Sequence, residues 1–241
     1  MKDKTVTVCT PFGPRKPWVA DVWKQGVLNL SLPDDAQFIL YNNTGDKYFL
    51  DPIQEWLNQI NPTWFSIILQ DGDTSSFCAL NQARPIAIKL NRYWQDFIDL
   101  ADTDYIISLE HDVVPKWNTY NEFVKNIEET ENAGAIAAPA KTRHRAHKYV
   151  TMVRQATSGF SNFAFMTPKE TGLEECGWSS ICCVLFKTEI LKSYQVEETD
   201  GFMLKRGLEG ALMRHVWLSG QRTYVNWGYS VNHYQDEKNY V

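Results

Sequence analysis

No stretch of the chain approaches the apolar length of a membrane-spanning helix, and the N-terminal "MKDKTVTVCTPFG" lacks the apolar core of a secretory signal. The expectation is a cytoplasmic protein with no transmembrane segment. Cysteine is sparse: Cys9, Cys78, Cys176, Cys182 and Cys183 make an odd set with no CxxC spacing. That argues against a disulfide framework and a zinc-finger pattern, and predicts free thiols in a reducing compartment. In such a compartment the sequons at Asn29 and Asn42 carry no sugar. Basic excess is missing too, with 24 Lys and Arg against 29 Asp and Glu, a net charge of −5. Bulk attraction to nucleic acid or anionic membrane is thereby excluded, though a local patch is not. Internal repeats, low-complexity tracts and linkers are also absent, so 1–241 is expected to form one domain.

What is present is a rhythm of short apolar runs and helical patterns. "TVTVC", "QFILY", "FSIIL" and "DYIISL" read as strands, with amphipathic helical stretches between them over 17–30, 51–60 and 83–101. Asp51 is expected to cap the second helix, with Pro52 at its first position. A capping box of Thr119 and Glu122 opens a fourth helix, which Gly134 closes, and "AIAAP" follows as a fifth strand. This alternation predicts an α/β fold with a mostly parallel sheet covered on both faces. From Lys141 the rhythm breaks, and 141–176 reads as one long irregular segment. Regularity returns with "SICCVLF", "KTEILKSY" and "LEGALMRHVWLSG". "QRTYVNW" reads as the last strand.

The most informative stretch is "DYIISLEHDVVP". A strand apolar on both faces runs straight into Glu110, His111 and Asp112. Buried carboxylates are costly unless paired or bound to a cation. Alternation along a strand turns Glu110 and Asp112 one way and His111 the other. Ligands of open parallel sheets bind beyond the carboxyl ends of the strands. Two acids there make a hard oxygen site for magnesium or manganese, which could hold a diphosphate. An acidic turn after a core strand is the plainer alternative.

The order of motifs resembles the nucleotide-sugar-dependent glycosyltransferases of the GT-A fold, especially the inverting family-2 type. "VTVCTPF" is similar to that family's first strand and Pro-containing turn, and "ILYNNTGD" to its second strand and loop. "NQARP" looks like the start of the helix before the metal strand, and "SLEHDVVP" like the Asp-x-Asp motif with Glu in the first place. "GWSSICCVLFKTEIL" is similar to the Gly-rich turn and strand. "GLEGALMRHVWLSGQRTYVNWGYSVNHY" resembles the family's tail.

The resemblance implies a GT-A, Rossmann-like single domain, with a nucleotide-sugar-binding half over 1–115 and an acceptor-side half over 116–241. It implies metal ligation by Asp112, His233 and Glu110, and Glu209 as the catalytic base. Donor contacts fall to Thr10, Pro11, Phe12, Asn42, Asn43, Arg84 and Glu110. Gly177 and Trp178 fall on the acceptor side. The cofactors implied are Mn2+ or Mg2+ and a nucleotide-sugar donor, UDP-linked, with a hydroxyl acceptor: a glycan, a small molecule or a hydroxymethylated DNA base. Three departures stand out. Asn42 and Asn43 replace the acid expected to read the base, Glu110 replaces Asp, and Leu208 stands beside Glu209 where a second acid is usual.

One basic concentration, Lys141, Arg143, Arg145, Lys148 and Arg154, precedes Phe160, Phe163 and Phe165. It reads as a lid over the sugar diphosphate or as a nucleic-acid contact through 141–165. Two further functions stay open beside a transferase. One is a non-catalytic nucleotide- or glycan-binding protein on the same fold, and the other a metal-dependent phosphate-ester hydrolase.

Overall fold

The computed structural model describes residues 4–13, 18–71, 83–141, 153–157, 162–195 and 200–234. The first half runs β1 (Val6–Phe12), α1 (Val19–Leu30), β2 (Gln37–Asn42), α2 (Asp51–Ile60), β3 (Phe65–Gln70), α3 (Ala83–Leu100) and β4 (Tyr105–Leu109). It continues through β5 (Val113–Val114), α4 (Thr119–Glu129), β6 (Ala133–Ala137), β7 (Val153–Thr157), β8 (Asn162–Phe165) and β9 (Leu173–Cys176). The last elements are β10 (Trp178–Ser179), β11 (Cys183–Lys187), α5 (Thr188–Leu191), α6 (Gly201–Leu218), β12 (Arg222–Asn226) and β13 (Asn232–His233).

Eight strands form one sheet in the order β3-β2-β1-β4-β11-β6-β12-β9. β3, β2, β1 and β4 are parallel neighbours, as are β6 and β12, while β11 runs antiparallel between β4 and β6. Strand alternation divides the core between the two faces. Tyr105, Ile107 and Leu109 of β4 join Trp23, Val27, Ile53, Leu57 and Phe123 under α1, α2 and α4. Ile106 points the other way, into a cluster with Trp94, Phe97, Leu208, Leu212 and Val216 from α3 and α6. Each fully buried large side chain contributes roughly 1.5–3 kcal/mol relative to exposure. The result is a mixed α/β domain with a large, mostly parallel sheet flanked by helices, as the alternating pattern predicts.

Several local expectations are corrected. α2 begins at Asp51, with Leu50 as its N-cap, so Asp51 and Pro52 both lie in the first turn and no side chain caps the helix. α4 has no capping box: Asn118 is the N-cap at φ 65°, and the Thr119 hydroxyl donates to the Lys116 carbonyl at 2.6 Å. Gly134 does not close α4 but lies inside β6. A Cβ there would come within 2.9 Å of Gln221, Ile190 and Val216, so glycine lets α5 and α6 pack closely on the strand. The segment 141–176 is not wholly irregular, because it contains β7, β8 and β9. These strands have only four or five residues each, too few for a period to register. Finally, β12 is not the last strand, since β13 follows it.

Candidate functional site

At the carboxyl end of β4 the Glu110 amide donates to the Cys182 carbonyl at 2.9 Å, and the chain turns through His111 and Asp112 into β5. His111 faces away from the acids: its ring stacks on Phe12 at 5.9 Å, and its Nδ1 lies 2.9 Å from the Pro11 carbonyl. β13 pairs antiparallel with β5, His233 opposite Val113, and the Tyr234 amide donates to the Asp112 carbonyl at 2.8 Å. This short ladder carries His233 across more than a hundred residues of sequence onto the two acids.

His233 Nε2 lies 3.4 Å from Asp112 Oδ1 and 3.5 Å from Glu110 Oε2. Asp112 and His233 are each 3% exposed, and neither ring nitrogen of His233 has a hydrogen-bond partner among the described residues. An unpartnered buried imidazole is costly, and these separations exceed a good N–H···O bond. They suit two adjacent ligands of one small divalent cation, which lie about 3 Å apart in octahedral coordination. One ligand atom from each of Glu110, Asp112 and His233 falls within 4.8 Å of the others. The donor set of two carboxylates and an imidazole fits a divalent cation.

Glu209 owes its place to a break in α6. Gly207 has φ 80° and ψ 172°, so helical geometry resumes at Leu208 and Glu209 sits in the first turn of the new run. A Cβ at position 207 would meet Glu209 Oε2 at 2.6 Å, so the carboxylate occupies the space that glycine leaves. Although part of the side chain reaches solvent, desolvation by the atoms crowded around its carboxyl pushes the pKa to about 7. A hydrogen bond from its own amide and the charge of Arg154 oppose that rise, while Glu110 adds to it. Leu208 is buried in the core under α6, so it does not stand in the cleft as a replaced acid.

The other candidate residues fall in different settings. The Thr10 hydroxyl donates to the Leu109 carbonyl at 2.7 Å and accepts from Trp23 Nε1 at 2.9 Å. Phe12 is fully buried against Trp23 and Phe49. Thr10 is fully buried, and its hydroxyl is engaged within the scaffold. Asn42 closes an Asx turn, its Oδ1 accepting from the Thr44 amide at 3.1 Å and its Nδ2 donating to the Asp46 carbonyl at 2.8 Å. Asn43, fully buried, has neither its Oδ1 nor its Nδ2 paired among the described residues. Arg84 stands in the first turn of α3, but its side chain lies outside the described residues. So do Arg143, Arg145 and Lys148 of the basic concentration, together with Phe160.

Two features escape sequence reasoning. Asp71, just after β3, pairs with the buried Lys89 at 3.1 Å and accepts from Tyr93 Oη at 2.6 Å. An acid after an apolar strand was the available signal. The second is Arg154 on β7, whose cross-strand partners are Trp178 on β10 and Phe165 on β8. Its guanidinium lies 4.5 Å from the Trp178 ring centroid and 4.6 Å from that of Phe165. Trp178 is 8% exposed with one face on this cation, and the Gly177 amide donates to the Arg154 carbonyl at 2.9 Å. Composition marked Arg154 as basic, but only strand register pairs it with two aromatics.

No protein-family model matches the chain, and no curated protein matches it in sequence. Solved structures do. One, described as A197 from STIV, superposes with a TM-score of 0.50 at 14% identity, covering 98% of this chain and 88% of that one. Another is the mannosyltransferase PcManGT from Pyrobaculum calidifontis in complex with GDP-Man and Mn2+, with a TM-score of 0.53 at 12% identity. That alignment covers 92% of this chain and 55% of the longer neighbour. The likeness is one of fold: the mixed α/β architecture is similar to that of a GT-A glycosyltransferase.

Proposed function

We propose that the protein is a metal-dependent glycosyltransferase that moves a sugar from a nucleotide-sugar donor to an acceptor hydroxyl with inversion. The observation that carries this reading is the buried cluster of Glu110, Asp112 and His233 at the carboxyl edge of the sheet, with Glu209 within reach of its charge. The neighbour that holds GDP-Man and Mn2+ on the same fold supports it. Glu110, Asp112 and His233 would hold manganese or magnesium, which when bound neutralises charge on the donor's diphosphate. A UDP-linked sugar is the donor that this reading favours.

Glu209 acts on the acceptor. Its carboxylate takes the hydroxyl proton as the oxygen bonds to the anomeric carbon and the bond from that carbon to the diphosphate breaks. The bonding pair leaves with the nucleoside diphosphate, and a single displacement inverts the anomeric centre. A carboxyl tuned to about 7 holds and releases a proton near neutrality, as a general base requires.

Calorimetric titration of UDP and GDP, each with and without Mn2+, tests the reading. One nucleotide should bind in the presence of Mn2+ and be released by EDTA, and Asp112→Asn should abolish the metal-dependent part without unfolding the protein. Nucleotide affinity unchanged by EDTA would exclude the metal-dependent mechanism.

A further inference from the structure

The three-stranded sheet β10-β7-β8 holds a feature that the transfer chemistry leaves unused. Arg154 on the middle strand lies between Trp178 and Phe165 on its two neighbours, with its guanidinium 4.5 Å and 4.6 Å from the two ring centroids. The N–H donors of a guanidinium form a planar fork that matches carboxylate and phosphate. The Arg154 Nε is buried and has no hydrogen-bond partner among the described residues. Phe165 is half-exposed, so the cradle borders solvent and a ligand can reach it.

The charges around it are uneven. Arg206 on α6 lies over Phe163 at 5.3 Å, and its charge repels that of Arg154. Among the described residues, Glu209 is the acid whose charge favours the Arg154 cation, and no ion pair joins the two. Arg154 thus feels one guanidinium that repels its charge and one carboxylate that attracts it, while its Nε stays without a partner among the described residues. An unpaired buried donor beside a second cation is unfavourable until an anion arrives.

We infer that Arg154 seats an anionic group, a phosphate or carboxylate, carried by the same acceptor whose hydroxyl meets Glu209. Assigning the anion to the acceptor rests on the transferase reading, whereas capture of an anion at Arg154 does not. Such an acceptor is fixed at two points. The forked donor holds its charged end, and Glu209 receives the proton of a hydroxyl a short distance away, which sets both orientation and selectivity.

Glycerol 3-phosphate, with glycerol as its uncharged counterpart, is the probe. Titrations would be followed by calorimetry on wild type, Arg154→Gln and Arg154→Lys, both alone and saturated with UDP and Mn2+. Wild type should bind glycerol 3-phosphate at least about 10-fold more tightly than glycerol, as expected for charge-assisted hydrogen bonds. Arg154→Gln should lose that preference with UDP–Mn2+ affinity unchanged. Arg154→Lys should keep part of it, since it retains the charge without the fork. A wild type that binds the two probes equally, or a preference that survives Arg154→Gln, overturns the proposal. Arg154→Gln weakening UDP–Mn2+ as much as glycerol 3-phosphate also overturns it, by assigning the arginine to the donor's diphosphate. Arg154-dependent capture in a protein that binds no nucleotide would leave the anion seat standing and remove the transferase reading.

Discussion

At the scale of single residues, the proposed chemistry turns on how two neighbours on α6 are placed. Leu208 enters the core while Glu209 does not, and Gly207 makes the difference by breaking the helix ahead of them. Glu209→Gln keeps shape but cannot take a proton, so transfer should fall by about 10²–10⁴-fold with nucleotide affinity retained. In wild type, transfer should decline as pH drops through about 7, where the carboxyl protonates. The stability sign is the reverse of the usual carboxylate case. Because the folded state binds the proton more tightly than an ordinary glutamate carboxyl at 4.5, stability falls as pH rises between about 4.5 and 7. Urea unfolding across that window should show the slope in wild type and a shallower one in Glu209→Gln. Gly207→Ala forces a non-glycine residue into φ 80° and pushes on Oε2, at about 1–3 kcal/mol of backbone strain. It should lower both thermal stability and transfer rate. Glu110 and Asp112 could be singled out in the sequence because acids directly after a fully apolar strand are anomalous. Asn43 could not be told from Asn42 that way, because only tertiary packing decides which amide is used in a local turn.

At the scale of elements, strands buried on both faces and helices with one apolar stripe were legible, and those set the parallel half of the sheet. Three kinds of element were not. β5 and β13 have two residues each, far too few to show a period, yet their pairing brings His233 to the acids. β7 and β8, of five and four residues, are too short to show a period, and only their register sets Arg154 against Phe165. β11 is apolar enough to be read as a strand, but nothing local shows that it runs antiparallel between β4 and β6. A single glycine ties the cluster of Glu110, Asp112 and His233 to the scaffold behind it. A Cβ on Gly26 of α1 would meet the Val113 carbonyl at 2.7 Å, and Val113 is the residue opposite His233 in the β5–β13 ladder. Gly26→Ala must therefore displace α1 or β5, at about 1–3 kcal/mol for overpacking. The expected outcome is a several-fold loss of Mn2+ affinity in a folded protein. Reduced stability with unchanged Mn2+ affinity would show that α1 and the metal cluster are mechanically separate.

At the scale of the whole molecule, the thiols report how far ligand binding and global stability are linked. Cys9 lies in β1, Cys176 at the end of β9, Cys182 just before β11 and Cys183 within it, so the four span the eight-stranded sheet. All four are buried, and burial pushes their thiols above the ordinary range, Cys182 to about 12. Neither their access nor their ionisation favours reaction while the sheet is closed, since the thiolate is the reactive form. Cys78 lies outside the described residues, so Cys78→Ser gives the cleaner reporter. In that variant, a disulfide reagent should label the remaining four at one common rate set by global opening rather than by local fraying. A nucleotide–Mn2+ complex that binds only the folded chain should slow this labelling about 100-fold when present at 100 times its dissociation constant. The slowing should apply equally to Cys176 at the sheet edge and to Cys9 near its centre, because both lie in the one sheet. Fast, ligand-insensitive labelling confined to Cys176 would show that β9 opens independently of the other seven strands. It would also mean that the strand joining the small aromatic sheet to the large one is not held by donor binding.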